Sequence, residues 1–233
     1  MALLAPRQAN SDMFQSIKEE ALFPTFVWVH DLEPEHAQRL NTKLFRDIDR
    51  MTSPRPKLQP GQNWQTEQSL HEHPQFKELV EIIESAVRGV LGRMELAHDA
   101  FELTALWANI NPPGAPHPPH FHPNNFLSGV YYLQVTQGVD SITFHEPRTQ
   151  VDIVAPHVKR FSQYTAPHYS LAVKPGRLVI FPAWLTHSVK RNESQSLRIS
   201  ISFNAMFADY VEKLSRPRWQ GIPVRPIPED ESA

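Results

Sequence analysis

Two stretches in the first hundred residues repeat apolar side chains at the three- and four-residue spacing of an amphipathic helix. The first begins at Pro34, a favourable residue for the first helical turn, and ends near Met51. The second runs from about Pro74 to Arg93 and carries Lys and Glu on the face opposite its apolar stripe. Residues 52–63, between them, hold three prolines and a glycine and are predicted to form a loop. Both stripes predict helices that cover the outside of a sheet.

From residue 101 the pattern changes to short runs of β-branched and aromatic residues separated by Gly, Pro and Asn. Short strands at this spacing are typical of a β-sandwich or jelly roll rather than of a parallel α/β sheet. The expected fold is mostly β with flanking helices (α+β), in which two helices pack on a double-stranded β-helix (jelly-roll, cupin-like) core. The predicted strands are residues 22–29, 102–110, 126–135, 141–146, 150–154, 169–173, 177–182 and 197–205.

The 233 residues contain no obvious linker, so we expect a single domain spanning residues 1–233. Residues 22–100 would supply a strand and helical support, residues 101–207 the jelly-roll catalytic core, and residues 208–233 an extended C-terminal tail. The loops 52–63 and 155–168 and this tail are each candidates for a lid, because substrate selection usually resides in such segments.

Composition removes several classes of protein. Lys and Arg number 23 against 25 Asp and Glu, and this balance argues against a nucleic-acid groove or a membrane-binding surface. The absence of Cys excludes disulfides and thiolate metal ligands. No apolar run is long enough to span a bilayer, and the N-terminus lacks the pattern of a secretory signal, so a cytoplasmic location is expected. The apolar helix stripes leave a homodimer possible.

Histidine supplies the strongest chemical signal, because seven of the twelve fall between residues 117 and 187. His120 and His122 are two residues apart in a segment that neighbouring prolines hold extended. Side chains two apart on a strand project to the same face, so both imidazoles can converge on one metal ion. His187 follows the apolar strand 177–182 and a corner containing a proline, and the strands between can bring it beside the pair.

One strand after these histidines has a polar face and an apolar face. In the segment LRISISFN, Arg198, Ser200 and Ser202 alternate with Ile199 and Ile201. This alternation is expected if the polar face lines a cavity inside the barrel. A buried Arg is costly unless it meets an anion, and a carboxylate is its natural partner.

Other polar and aromatic residues have simpler expected roles. Glu146 and Arg148 predict an exposed salt bridge across a turn, and His117 is expected near the entrance of the cavity. Trp107 and Trp184 flank the candidate strands and are candidates for the cavity wall. No Gly-rich phosphate loop, Gly-x-Ser-x-Gly elbow or zinc-binding Cys pattern is present.

The motifs HFHP, SGVYYL, PGRLVIFPAWLTHSV and LRISISFN together resemble the Fe(II)/2-oxoglutarate-dependent oxygenases, in particular a small bacterial branch with a prolyl-hydroxylase-like core. The resemblance covers about residues 101–207. It implies an iron- and 2-oxoglutarate-dependent dioxygenase that uses O₂ on a small-molecule or peptide substrate. By position it implies His120 as the first iron ligand, His187 as the distal ligand and Arg198 as the anchor of the far carboxylate of 2-oxoglutarate. The further cosubstrate contacts it suggests are Ser200, Tyr132 with Tyr131 as second choice, and Asn109 or Asn111.

The chain departs from the family pattern at His122, where the superfamily has Asp or Glu. Three outcomes are open: His122 is itself a ligand, a water takes the position, or the register shifts so that His122 is the first ligand and Asn124 fills the carboxylate place. A ligand set of three histidines also supports iron and oxygen chemistry in cupin-like enzymes.

The function expected is oxidative decarboxylation of 2-oxoglutarate to succinate and CO₂, coupled to hydroxylation of a substrate. Two alternatives are a cupin-type metal dioxygenase or isomerase that uses three histidines without 2-oxoglutarate, and a jelly-roll binding protein without catalysis. The first alternative leaves Arg198 and Tyr132 without a purpose, and the second predicts no tight Fe(II) binding.

Overall fold

Two antiparallel sheets form the body of the protein in a computed structural model that describes residues 15–16, 18–54, 57, 61–97, 100–138, 140–162 and 164–213. The strands are β1 (Trp28–Asp31), β2 (Trp64–Gln65), β3 (Phe101–Asn111), β4 (His117–His120), β5 (Leu127–Gln134), β6 (Ser141–His145), β7 (His168–Ala172), β8 (Arg177–Pro182), β9 (His187–Val189) and β10 (Arg198–Phe207). The helices are α1 (Pro34–Met51), α2 (Lys77–Arg93) and α3 (Ala208–Lys213), with short 3₁₀ turns at Leu70–Glu72, Pro74–Phe76 and Thr149–Asp152.

The larger sheet has the strand order β1-β8-β5-β10-β3-β2, and the smaller sheet has the order β4-β9-β6-β7. Apolar side chains of β5, β6 and β8, among them Val130, Ile142 and Phe181, form one buried cluster in which the two sheets meet. The other face of the larger sheet packs against the apolar stripes of α1 and α2 in a second cluster. The predicted class, a jelly-roll core supported by helices, is confirmed.

Strand β10 shows how the sequence alternation builds two environments. Ile199, Ile201 and Phe203 belong to the cluster shared with the helices. Arg198, Ser200 and Ser202 point to the opposite face and line a cavity between the sheets. The strand is nevertheless buried on both faces, so its period-two pattern reflects a polar interior rather than contact with solvent.

The helices lie close to their predicted bounds, and their apolar stripes are used within the chain. Leu40, Leu44 and Ile48 of α1 and Ile83 and Val87 of α2 are all buried against the sheet. They therefore offer no free apolar face to a second copy, and the homodimer stays a prediction. None of the helices described is both long and apolar enough to cross a membrane.

Two predicted strands are wrong. Of residues 22–29, only the end enters a strand, with Trp28 opposite Ile180 of β8. Pro24 has no N–H for a ladder, and Phe23 has a φ of 53° and is 95% exposed. Residues 150–154 contain a 3₁₀ turn with apolar side chains in solvent. The strand that precedes them in the chain, β6, is already paired on both edges, by β7 and by β9.

The predicted extended tail is also corrected at its start, because residues 208–213 form α3 directly after β10. Once the strand passes Phe207 its residues lose the antiparallel partner Phe101, and the chain turns into a helix. The remainder of the predicted tail, residues 214–233, lies outside the described residues.

The predicted surface salt bridge is confirmed. Arg148 donates from Nε to Oε1 of Glu146 at 2.8 Å and from Nη2 to Oε2 at 2.9 Å. Because Arg148 is exposed, this ion pair is expected to contribute little to stability.

We predict that Gly129→Ala destabilises the core. A Cβ at this position of β5 would lie 2.3 Å from the Phe203 ring and 2.8 Å from the Val179 carbonyl oxygen, and the latter is backbone that cannot rotate away. Overpacking of this kind costs about 1–3 kcal/mol of unfolding free energy. The measurement is urea unfolding followed by circular dichroism. Gly89→Ala on the exposed face of α2, where a Cβ meets no atom within 4 Å, is the control and should stabilise by about 1 kcal/mol. Equal effects of the two substitutions would contradict the packing argument.

Candidate active site

Three histidine side chains converge near the end of β4 and the start of β9 in the smaller sheet. His120 ends β4 and lies opposite His187, the first residue of β9. His122 follows two residues later, and its backbone N–H donates to the carbonyl of Ala183 at 2.9 Å. The ring centroids are 4.3 Å apart for His120 and His187, 5.1 Å for His120 and His122, and 5.2 Å for His122 and His187. One ligating nitrogen from each ring lies within 4.8 Å of the other two, which fits coordination of a single metal ion.

Backbone carbonyls fix the tautomers of two of these rings. Nδ1 of His120 lies 2.8 Å from the carbonyl oxygen of Pro118, and Nδ1 of His187 lies 3.0 Å from that of Leu185. A carbonyl oxygen can only accept, so Nδ1 carries the proton in each ring and Nε2 keeps its lone pair. This arrangement is the usual support for a metal-ligating histidine.

The local environment keeps the imidazoles of His122 and His187 neutral, which is the protonation state that binds a metal. Burial, followed by the charge of the neighbouring His120, lowers the pKa of His187 to about 3. The same two causes lower the pKa of His122 to about 4. At neutral pH both rings therefore carry a free lone pair, and no proton has to leave before a metal enters.

The position that departs from the family pattern is occupied by His122. Asn124, the alternative in a shifted register, has a φ of 62° and is exposed, and it does not line the cavity. The geometry thus places an imidazole, rather than this amide, beside the rings of His120 and His187.

A narrow cavity of about 30 Å³ extends from the histidines between the two sheets. Among the described residues, its lining contains no Asp or Glu, and Arg198 is the only permanently charged side chain there. The residues that line it are Trp107, Asn109, His117, His120, His122, Val130, Tyr132, Ile142, His187, Val189, Arg198, Ser200 and Ser202.

Arg198 and Tyr132 form the inner end of this cavity, with the guanidinium carbon 5.4 Å from the centre of the tyrosine ring. Arg198 is 2% exposed and Tyr132 is fully buried. Nη1 of Arg198 donates to Oδ1 of Asn111 at 3.2 Å, but its Nε and the Tyr132 hydroxyl have no hydrogen-bond partner among the described residues. Burial lowers the pKa of Arg198, although an arginine remains cationic in proteins, and burial raises the pKa of Tyr132 to about 12.

Ser200 and Asn109 are two further polar residues that line the cavity. Ser200 lies opposite Tyr132 on one side of β10 and opposite Asn109 on the other. Asn109 is already committed, because its Oδ1 accepts from Gln65 and Trp107 and its Nδ2 donates to Ser202. Ser200 is therefore better able than Asn109 to contact a ligand, through its hydroxyl.

Two predicted cosubstrate contacts lie outside the cavity. Tyr131 points to the opposite face of β5, where its hydroxyl donates to Oδ1 of Asn41 on α1 at 2.6 Å. Adjacent strand residues face opposite sides of a sheet, so only one of Tyr131 and Tyr132 can enter the barrel. Asn111 does not line the cavity either, but its contact with Arg198 orients the guanidinium.

The remaining candidates divide between cavity and surface. Trp107 lines the cavity, with its ring centre 5.9 Å from that of His122. Trp184 is 54% exposed and does not line it. His117 also lines the cavity, with its ring stacked on His120 at 4.4 Å and 13°. Strand alternation alone would not have found it, since residues three apart normally face opposite sides.

Residues 105–204 match a protein family described as "Putative 2OG-Fe(II) oxygenase". This segment contains the three histidines and Arg198. Over these residues the chain is similar to the 2-oxoglutarate- and Fe(II)-dependent oxygenases. No curated protein matches it in sequence.

Solved structures of an α-ketoglutarate-dependent enzyme and of prolyl hydroxylases share the fold of this chain. The α-ketoglutarate-dependent epimerase SnoN from nogalamycin biosynthesis is 14% identical over 79% of each chain, with a TM-score of 0.58. A prolyl-4-hydroxylase from Pseudomonas putida is 13% identical over 78% of this chain and 93% of its own, with a TM-score of 0.55. A prolyl hydroxylase from Trichoplax adhaerens is 12% identical over 82% and 87%, with a TM-score of 0.57.

The donor set fits Fe(II) and 2-oxoglutarate. Three imidazoles suit borderline divalent metals, Fe(II) among them. The unpartnered Arg198 Nε and Tyr132 hydroxyl are hydrogen-bond donors at the depth where a carboxylate of 2-oxoglutarate would be held.

We predict that His122→Asp binds Fe(II) at least as tightly as the wild-type protein, because a carboxylate keeps a ligand and adds a negative charge beside the metal. His122→Ala removes the proposed ligand itself and should weaken binding by at least the roughly tenfold to hundredfold seen when an outer partner of a ligand is removed. The measurement is anaerobic Fe(II) titration by calorimetry. Identical affinities for the wild type, His122→Asp and His122→Ala would show that residue 122 is not a ligand.

Proposed function

We propose that the oxygenase holds Fe(II) through His120, His122 and His187 and binds 2-oxoglutarate with its far carboxylate on Arg198. Tyr132 and Ser200 complete the carboxylate pocket. The reaction we propose is hydroxylation, in which one oxygen atom of O₂ enters the substrate and the other enters succinate while CO₂ is released. The observation that carries this proposal is the buried Arg198, whose cavity contains no carboxylate of the protein.

The energetic argument starts from the cost of that arrangement. An unsatisfied buried hydrogen-bond donor costs about 1–3 kcal/mol, and more when it is charged. Arg198 Nε and the Tyr132 hydroxyl both have this status. A carboxylate with two oxygens can accept from both donors and supply the missing negative charge. These two unfavourable buried donors are explained if a dicarboxylate ligand accepts hydrogen bonds from both of them in each catalytic cycle.

The protein's contribution to the chemistry is positioning and exclusion of water, since bound iron and 2-oxoglutarate supply the oxidising power. His120 and His187 are pre-oriented by their backbone hydrogen bonds. Arg198 is held by Asn111, and Phe144 and Phe181 pack beside the His187 ring and keep the interior dry. These contacts place the metal end and the carboxylate end of the site in one rigid frame.

The two alternative functions explain fewer features of the site. A cupin-type dioxygenase or isomerase without 2-oxoglutarate would use the three histidines and leave Arg198 buried without a counter-charge. A binding protein without catalysis gives no reason for both backbone-fixed tautomers to present Nε2 toward one point. The oxygenase reaction uses both ends of the cavity.

The substrate is proposed to be a small molecule or a peptide that meets exposed aromatic side chains beside the metal ligands. Phe121, between two of the ligands, is 56% exposed, and Trp184 is 54% exposed. The hydrogen bond from His122 N–H to the Ala183 carbonyl joins the two segments that carry them. Tyr169, 62% exposed, lies opposite Phe144 in the register of β6 and β7. Flat apolar groups at such a site favour substrates with an apolar or ring-containing surface.

We predict that Arg198→Ala weakens 2-oxoglutarate binding by about thirtyfold or more, because truncating one partner of a buried charge pair costs 2–5 kcal/mol. Fe(II) affinity should change little, since Arg198 does not contact the ligand histidines. The measurement is the visible charge-transfer band during anaerobic titration of the Fe(II) protein with 2-oxoglutarate, followed by succinate formation in air.

The control for this substitution is Arg88→Ala, which removes an exposed arginine of α2. It should leave both affinities unchanged. If Arg198→Ala loses iron together with 2-oxoglutarate, the role of Arg198 is structural. A wild-type protein that binds Fe(II) but neither binds 2-oxoglutarate nor forms succinate would overturn the proposed function itself.

A further inference from the structure

A distortion in β4 places a fourth imidazole in the cavity. His117 pairs with Val189 and His120 pairs with His187, and the register shifts between the two pairs. Without that irregularity, residues three apart would face opposite sides of the sheet. The intervening residues, Pro118 and Pro119, lack N–H groups for the ladder, which favours an irregularity at this point. Both rings therefore face inward, and His117 lines the same cavity as the metal ligands.

We propose that His117 is a binding residue for 2-oxoglutarate, donating a ring N–H to the dicarboxylate between the metal ligands and Arg198. This inference rests on the proposed function, because it concerns the same cavity and the same cosubstrate. It adds a polar contact along the length of the ligand to the anchors at the two ends.

The position of His117 supports this role. Its ring lies parallel to that of His120 at a centroid distance of 4.4 Å, so it is adjacent to the metal position without being among the three converging ligands. The positive charge of Arg198, at the other end of the cavity, also acts on this imidazole. His117 thus lines the cavity that contains both the three converging histidines and Arg198.

The hydrogen bonds of the side chains that line the cavity also support this role for His117. His120 and His187 are tied to backbone carbonyls, and Asn109 is tied to three side chains. His117 has no hydrogen bond to any residue in the described part of the chain, although its neutral ring carries one N–H donor and one acceptor nitrogen. Its donor is thus available to a carboxylate oxygen.

The cavity is narrow, and a rotation of the His117 ring would widen it. A volume of about 30 Å³ is space for about two water molecules, whereas 2-oxoglutarate has ten heavy atoms. The His117 ring stacks on that of His120, and such contacts are worth about 0.5–1.5 kcal/mol. A rotation of this ring off His120 makes room and brings its N–H to the ligand.

The test compares His117→Phe, which keeps a flat ring but removes both nitrogens, with His117→Gln, which keeps a polar donor. Each variant is titrated anaerobically with Fe(II) and then with 2-oxoglutarate, with the charge-transfer band as the readout for the cosubstrate. We expect His117→Phe to bind 2-oxoglutarate about tenfold more weakly, the loss for one hydrogen bond to a charged group, with an Fe(II) affinity close to wild type. His117→Gln should recover most of that loss.

His168→Phe, which changes an exposed histidine of β7, is the matched control and should leave both titrations unchanged. Wild-type affinity for 2-oxoglutarate in His117→Phe would overturn the inference and leave His117 a packing residue. Loss of Fe(II) in parallel with 2-oxoglutarate would also overturn it, because His117 would then act through His120. Absence of the band in the wild-type protein is a different result, since it would refute the proposed function and not this assignment alone.

Discussion

A positive charge enclosed in the protein without a protein counter-charge is the constraint on which the site depends. Arg198 is buried at the start of β10, between β3 and β5, so its surroundings are fixed by the central strands of the larger sheet. Asn111 satisfies one of its donors but supplies no charge. Such an arrangement is unfavourable in the absence of an anion and becomes favourable when one enters. The fold thus favours an anionic ligand at a position that the central strands of the larger sheet enclose.

Each of the two sheets supplies a different set of residues to the site. The smaller sheet supplies His120 at the end of its edge strand β4 and the buried His187 at the start of β9, and the partly exposed His122 follows β4. The larger sheet supplies Arg198, Tyr132 and Ser200 from interior strands that the helices cover on the other face. The proposed metal end is therefore partly accessible through His120 and His122, while the proposed anchoring end at Arg198 is buried. Packing of α1 and α2 contributes to function indirectly, because it holds β10 and β5 in the register that pairs Ser200 with Tyr132.

Much of this site could be predicted from local patterns. The spacing of His120 and His122 and the alternation of Arg198, Ser200 and Ser202 each follow from strand geometry, and both pairs of features are found where that geometry places them. The local pattern could not decide whether Tyr131 or Tyr132 faces the cavity. Strand β5 is buried on both faces, so its sequence does not show which alternate residues point inward. The inward position of His117 depends on an irregularity in pairing, and the exposed turn at residues 149–152 depends on β6 having no free edge. These are tertiary facts that no local pattern contains.

The substitution of histidine for a carboxylate at position 122 changes the charge of the whole cavity. With an Asp or Glu ligand, a ferrous ion, one arginine, one carboxylate and a dicarboxylate ligand sum to zero. With His122 the same assembly retains one positive charge, in surroundings where burial already lowers the pKa of His122 and His187. Since charge interactions are strong where water is excluded, the extra charge favours retention of the dicarboxylate. The three-histidine site is therefore better matched to a cavity that recognises its cosubstrate mainly as an anion, and the neutral rings of His117 and His122 become polar groups that orient it rather than repel it.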